Sequence, residues 1–348
     1  MTDTDDILFE RRGGLAIATL NRPRAINAMT LDMYRAFDAQ LEAWGRDASV
    51  AAVLVRGAGE RGFCAGGDVR AIHAARRRPP GPGDYKTDLY REEYRFIRKV
   101  HRLSKPYVAL AHGITMGGGV GLSTNGRYRV ATETTEVAMP EVFIGSIPDV
   151  GATRFFHMCP GRIGTYLALT GRRIGAADAI YCGLLTHYVR QDRLAALTEA
   201  LAERDAETTL DRFAESPGPS KLAALRPAID RCFGRPSVEA ILDALHAEDA
   251  EWAWAAMTAM ERACPTSLKL TFRQLRRGAG MDLEAALALE YRLTMHILAG
   301  DDFYEGVRAV LIDRDRRPRW RFASPAEVSE AEVERHFAPL GEGELTFA

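Results

Sequence analysis

Little in this sequence points to a disulfide frame, a metal centre or a membrane. It has five cysteines, Cys64, Cys159, Cys182, Cys232 and Cys264, scattered along 348 residues without a C-x-x-C spacing. An odd, dispersed set argues for reduced thiols in a cytoplasmic protein rather than for disulfides or structural zinc. His73, His101, His112, His157, His187 and His296 show no H-x-x-x-H or Cys/His pattern, so no metal is expected. No stretch approaches the ~20 uncharged apolar residues of a membrane span. The 46 basic and 47 acidic side chains leave a formal charge of −1. That balance excludes a global basic field for nucleic acid and the acidic bias of disordered chains. Met1 to Glu10 holds four acidic residues and no basic n-region, so no secretory signal is expected. No internal repeat of fixed period is visible.

The composition is otherwise that of a globular protein, 47% apolar and 27% charged. Its pattern shifts near residue 200. Before that point, short apolar runs alternate with glycine-rich turns and helical stretches. Gly14 to Leu20 reads as a first strand, ended by Asn21-Arg22-Pro23, and Val53–Val55, Tyr107–Leu110 and Tyr128–Val130 read as further strands. Thr30 is a candidate N-cap for a helix that puts Tyr34, Phe37, Leu41 and Trp44 on one face. After residue 200 the pattern is helical. Leu283, Leu287, Tyr291 and Met295 share one helix face, and Trp252, Trp254, Met257 and Met260 belong to another helix, the tryptophans expected in the core. Arg76 to Asp84 (RRRPPGPGD) and Ser216 to Ser220 (SPGPS) read as loops, the arginines as a solvated turn. The organisation expected is an α/β core over residues 1–200 and a helical C-terminal region over 201–348 packing on it.

Three segments can carry chemistry. Phe63-Cys64-Ala65-Gly66-Gly67-Asp68 follows a strand and opens a helix, and Met116-Gly117-Gly118-Gly119-Val120-Gly121 does the same. Taken singly, the first is an ordinary tight turn and the second a means of close helix packing. Three consecutive glycines cost backbone entropy, so something there requires backbone access. Together the loops can offer two convergent N–H groups, which is the composition of an oxyanion hole. Glu141 and Asp149, in MPEVFIGSIPDVGATRFF, flank apolar residues where burial would raise a carboxyl pKa. Isolated carboxylates are usually solvated. Beside an oxyanion hole, one would supply a base or a nucleophile.

The ordered set NRPRAINA, FCAGGD, GITMGGGVGL and MPEVFIGSIPDVG resembles the crotonase (enoyl-CoA hydratase/isomerase) superfamily over residues 10 to 190. The resemblance implies a spiral of ββα units that binds acyl-CoA, with the oxyanion donors at the Gly67 and Gly118 N–H groups. Hydratases of that superfamily carry a catalytic glutamate three positions after the middle glycine of the GGG run, where this chain has Gly121; their second glutamate matches Glu141. What remains, with REEYRFIRKVHRLSKPYVAL and YLALTGRRIGAADAIYCGLLTHYV, resembles the branch that hydrolyses 3-hydroxyisobutyryl-CoA in valine breakdown. It implies that Glu141 either activates water or attacks to form a mixed anhydride, and that Asp149 binds the substrate hydroxyl. Gly117, Gly121 and Ile147 would line the substrate pocket. Arg24, Ala25, Ala65, Asp68 and Arg70 would hold CoA, Arg70 because its position matches a CoA-binding lysine of hydratases. Cys64 would only pack. Coenzyme A is then part of the substrate, and no metal or redox cofactor is required. The expected partner is acyl-CoA, without nucleic acid or membrane, and a homo-oligomer is compatible. Ser146 stands where a leucine is expected and Ala152 where a second glycine is usual, both at pocket-lining positions. The alternatives are an enoyl-CoA isomerase or hydratase, and a non-catalytic acyl-CoA-binding protein.

Overall fold

The computed structural model describes residues 4–76, 81 and 83–347. By contact density these form two compact units that interleave along the chain. One comprises the described residues of Met1–Asp68, Glu92–Ala138 and Arg173–Lys221, and the other those of Val69–Arg91, Met139–Arg172 and Leu222–Ala348. The contacts therefore do not divide the chain at residue 200. Composition changes where strands stop, whereas the units are drawn by what each segment packs against.

The first unit is built on a six-stranded sheet. Its strands are β1 (Ile7–Arg12), β2 (Leu15–Leu20), β3 (Ala52–Gly57), β4 (Tyr107–Ala111), β6 (Tyr128–Ala131) and β8 (His187–Tyr188), in that spatial order. The short β5 (Ile114–Met116) and β7 (Glu136–Ala138) pair in parallel as a separate two-stranded sheet. Among the strands of the described residues only β1 and β2 pair antiparallel, in a hairpin whose register runs from Ile7↔Leu20 to Arg12↔Leu15. Gly14 to Leu20 is thus the second strand. The first escapes a hydrophobicity reading because it is an edge strand whose one buried residue is Ile7. The central strands are covered on both faces and so read as continuous apolar runs. Leu54, Val108, Leu110 and Val130 pack with Leu197, Leu201 and Leu210 of the helices Leu194–Glu203 and Ala206–Phe213. Helix Leu31–Arg46 starts as expected, with the Thr30 side chain accepting from Met33 N at 3.2 Å, and buries Tyr34, Phe37, Leu41 and Trp44.

The second unit is helical. Helix Leu283–Leu298 is capped by Asp282, which accepts from Ala285 N at 2.8 Å, and it buries Leu283, Leu287, Tyr291 and Met295. Helix Glu251–Arg262 forms as read, but Trp254 is half exposed. Residues two apart on a helix lie about 200° apart around its axis, so Trp252 and Trp254 cannot share one buried face. The SPGPS segment separates helices Ala206–Phe213 and Lys221–Phe233. In the arginine- and proline-rich segment, residues 77–80 and 82 lie outside the described residues; Arg76 pairs with Asp301 at 2.6 Å.

Candidate active site

In the sheet-containing unit, the two glycine loops are brought side by side. Cys64 bridges to Thr115 and Gly67 to Met29, while Met116 N donates to Cys64 O at 2.9 Å. Gly117 turns the chain with φ 52°, ψ −126° and opens helix Gly118–Thr124. A Cβ on Gly118 would lie 3.3 Å from Gly67 N, and one on Gly66 would lie 3.1 Å from Gly118 N. The two amide nitrogens are therefore neighbours. Among the described residues, neither N–H donates to another group of the chain. Gly119 serves packing, since a Cβ there would meet Cys64 O at 2.3 Å. The packing reading of the glycine run thus fits Gly119, while at Gly118 the structure leaves an amide N–H beside that of Gly67.

A further carboxylate stands at this place. A Cβ on Gly118 would come within 2.5 Å of Glu93 Oε1, which accepts from Tyr34 Oη at 2.5 Å; both side chains are buried. Glu93 lies on helix Tyr85–Arg102. Sequence reading missed it because a glutamate in a charge-rich amphipathic helix looks solvated. The one available signal was its neighbour Tyr94, an apolar-face residue that is also buried. Cys64 is fully buried, its Sγ donating to Asn27 O at 3.3 Å, and burial pushes its thiol up to about 12. It packs, and burial together with the raised pKa argues against a thiolate nucleophile there.

The turn before Met29 is joined to the first glycine loop. Asn27, in the left-handed region at φ 55°, uses its side chain to donate to Ala58 O and Gly62 O, each at 3.0 Å. Ala65 N donates to Ile26 O at 2.9 Å, so Ala65 sits beside the turn that exposes Arg24 and Ala25. Asp68 accepts an ion pair from Arg22 at 3.0 Å. Gly121 is buried in its helix, its carbonyl accepting from Asn125 Nδ2 at 3.0 Å.

The helical unit carries Glu141, Asp149, Ile147 and Arg70. Glu141 is buried at the start of a short 3-10 turn, Glu141–Ile144, whose closing Gly145 has φ 71° and packs against Asp302. Ser146 N donates to Glu141 O at 3.0 Å. Ser146, Ile147, Asp149 and Ala152 are all buried. Val150 and Gly151 follow Asp149 with φ 52° and 95°, two consecutive left-handed residues. Two side chains on C-terminal helices hold this turn. Glu290 accepts from Gly151 N at 2.8 Å and Thr153 N at 2.7 Å. Gln274 donates to Pro148 O at 2.7 Å and Thr153 Oγ1 at 2.8 Å. Neither carries a motif; only the structure reveals them. Arg70 is exposed on helix Val69–Ala74, with one guanidinium nitrogen donating to Leu311 O at 2.7 Å. No group of three or more His, Cys, Asp or Glu side chains is arranged to hold a metal among the described residues.

A parallel sheet whose loops present paired, unengaged amides, with helices following in the C-terminal half, defines an α/β protein of the crotonase fold. The chain belongs to the enoyl-CoA hydratase/isomerase family, which matches residues 15–337. It is 43% identical to the mitochondrial 3-hydroxyisobutyryl-CoA hydrolase of Danio rerio, over 98% of this chain and 91% of that protein. Against the mitochondrial 3-hydroxyisobutyryl-CoA hydrolase of Homo sapiens it is 40% identical, over 99% and 91%. Among solved structures, a carnitinyl-CoA dehydratase from Mycobacterium thermoresistibile superposes with TM-score 0.94 at 43% identity, covering 99% of each chain. An enoyl-CoA hydratase from Rhodobacter sphaeroides gives 0.92 at 38%, covering 99% and 100%. The curated relatives are mitochondrial, which overturns the cytoplasmic location expected from the cysteines and the acidic N-terminus. Dispersed thiols argue against a disulfide frame and do not tell one compartment from another.

Proposed function

We propose that the chain hydrolyses 3-hydroxyisobutyryl-CoA to 3-hydroxyisobutyrate and CoA, a step of valine breakdown. The observation that carries this reading is that curated relatives aligned along nearly the whole chain share that one activity. The adjacent Gly67 and Gly118 amides support it chemically, because two fixed donors stabilise the oxyanion of acyl transfer at no reorganisation cost. Glu141 supplies the carboxylate. In one route it takes a proton from water as the water oxygen bonds to the thioester carbon. Collapse of the tetrahedral oxyanion then breaks the C–S bond, and the proton passes to the departing thiolate. In the other, Glu141 itself displaces the thiolate as a mixed anhydride, which water cleaves. A thiol leaving group of pKa ~8.5 needs no strong general acid in either route. Asp149 binds the 3-hydroxyl, and Arg24, Ala25, Ala65 and Arg70 contact the CoA portion. Asp68 is already committed to Arg22, so it orders the loop rather than meeting a phosphate. No metal or redox cofactor enters the chemistry.

Hydration or dehydration of an enoyl-CoA is favoured as a second reading by the two solved structures just described. It needs a group to direct water and another to protonate carbon, and the family's position for one of them holds Gly121. The decisive measurement is thiol release with 3-hydroxyisobutyryl-CoA alongside enoyl absorbance with crotonyl-CoA. Stoichiometric free thiol from the first, and no loss of absorbance from the second, is expected. Rapid crotonyl-CoA hydration without thiol release would sink the hydrolase reading. Label in Glu141 after a single turnover in ¹⁸O-water would establish an anhydride cleaved at its glutamyl carbon, whereas direct water attack, like cleavage at the acyl carbon, places the label in the product alone.

A further inference from the structure

Glu290 is a fully buried acid on helix Leu283–Leu298, and the proposed chemistry does not use it. Both its oxygens are spent on one target. Oε2 accepts from Gly151 N at 2.8 Å and Oε1 from Thr153 N at 2.7 Å, the amides of the N-cap and of the second residue of helix Ala152–Met158. That helix opens on a glycine and has no side-chain cap of its own; local carbonyls meet the Ala152, Arg154 and Phe155 amides, and the Thr153 amide is left to be met from elsewhere. A serine or asparagine at residue 151 would do this locally, but Gly151 has φ 95°, where L side chains are strained. The distant glutamate therefore does what the local sequence cannot.

The cost of this arrangement shows that more than capping is involved. Burial pushes the Glu290 carboxyl up to about 8, and the nearby Asp149 charge adds to the rise. A buried acid close to a second acid is a poor choice for helix stability alone. What the pair of contacts secures is geometry. Gln274, from helix Pro265–Arg277, holds the Pro148 carbonyl at 2.7 Å on the N-terminal side of Asp149, and Glu290 holds Gly151 and Thr153 on the C-terminal side. Between these anchors Val150 is held at φ 52°, a conformation a β-branched residue leaves unless its surroundings enforce it.

We infer that Glu290, with Gln274, is a positioning residue that fixes the Pro148–Gly151 turn and so the direction in which Asp149 presents its carboxylate. Discrimination in favour of a hydroxylated acyl group then depends on a side chain that does not touch the substrate. This rests on the reading of Asp149 as the hydroxyl-binding group.

The experiment compares kcat/KM for 3-hydroxyisobutyryl-CoA and isobutyryl-CoA, which differ by the hydroxyl alone. It uses the full-length wild type, Glu290→Gln, Asp149→Asn and the double variant. Glu290→Gln keeps the volume but sets an amide NH2 against a backbone N–H. The expected result is a fall of about tenfold or more in the hydroxy-to-deoxy ratio for Glu290→Gln. The double variant should then be no less selective than Asp149→Asn, because a misdirected carboxylate and an absent one are equivalent. Equal losses on both esters with an unchanged ratio would overturn the inference and leave Glu290 as a stabilising cap. An unchanged ratio in Asp149→Asn would instead overturn the reading of Asp149, and the inference with it. If Glu290→Gln does not fold, Gln274→Met, which releases the Pro148 carbonyl, decides by the same ratio.

Discussion

At the scale of single residues, charge state and burial set what each group can do. Glu141→Gln keeps shape and removes both basicity and nucleophilicity, so turnover should fall by about 10²–10⁴ while acyl-CoA binding persists. Near-wild-type thiol release by a folded Glu141→Gln protein would remove Glu141 from the chemistry. Cys64 is expected to be inert. All five cysteines are buried and the Cys64 thiol is pushed up to about 12, so the native protein should resist thiol-alkylating reagents at pH 8 and react only on unfolding. Rapid labelling of Cys64 in the native state would contradict its role as packing. Glu290 gives a pH dependence with a definite sign. Its folded pKa, about 8, lies above the ordinary ~4.3, so the native state holds the proton more tightly. That contribution to stability is complete below the unfolded value and is lost as pH rises through the folded one. Between pH ~5 and ~8 the melting temperature of the wild type should therefore decline relative to Glu290→Gln, and level off above that range. Parallel curves for the two proteins would show that Glu290 does not titrate there.

At the scale of elements, the glycine loops work by close approach. A side chain on Gly118 would meet Glu93 Oε1 at 2.5 Å and crowd Gly67 N at 3.3 Å. Gly118→Val should therefore push the loop from its place and cost ~10²–10³ in kcat, the loss of one oxyanion donor. Full activity in a folded Gly118→Val protein would put the oxyanion donors elsewhere. The same logic explains which element ends were legible. Thr30 and Asp282 cap their helices from the adjacent position, so a local pattern predicts them. Helix Ala152–Met158 has its Thr153 amide met from 137 residues away, and no local pattern can report that.

At the scale of the whole molecule, interleaving along the chain governs folding. A fragment of residues 1–200 keeps the eight strands found among the described residues but loses Ala206 and Leu210, which close the sheet core. It also retains residues 139–172 without the 222–348 segment that completes their unit. The fragment should lack a cooperative thermal transition, as followed by circular dichroism. A sharp melt comparable to that of the full chain would make residues 1–200 an autonomous domain.

The sequence by itself determined the central strands, whose apolar runs are dictated by burial on both faces, and the long amphipathic helices, whose periodicity is local. It also determined the glycine loops, because a backbone that must approach another backbone leaves a signature in composition. Tertiary structure decided which of these loops meet, that the Gly67 and Gly118 amides are neighbours, and that Glu93 faces them from a helix resembling a solvated one. It alone assigned Glu290 and Gln274 to the Asp149 turn. The reason is physical: a carboxylate's role depends on which donors and charges surround it, and here those come from segments more than a hundred residues apart.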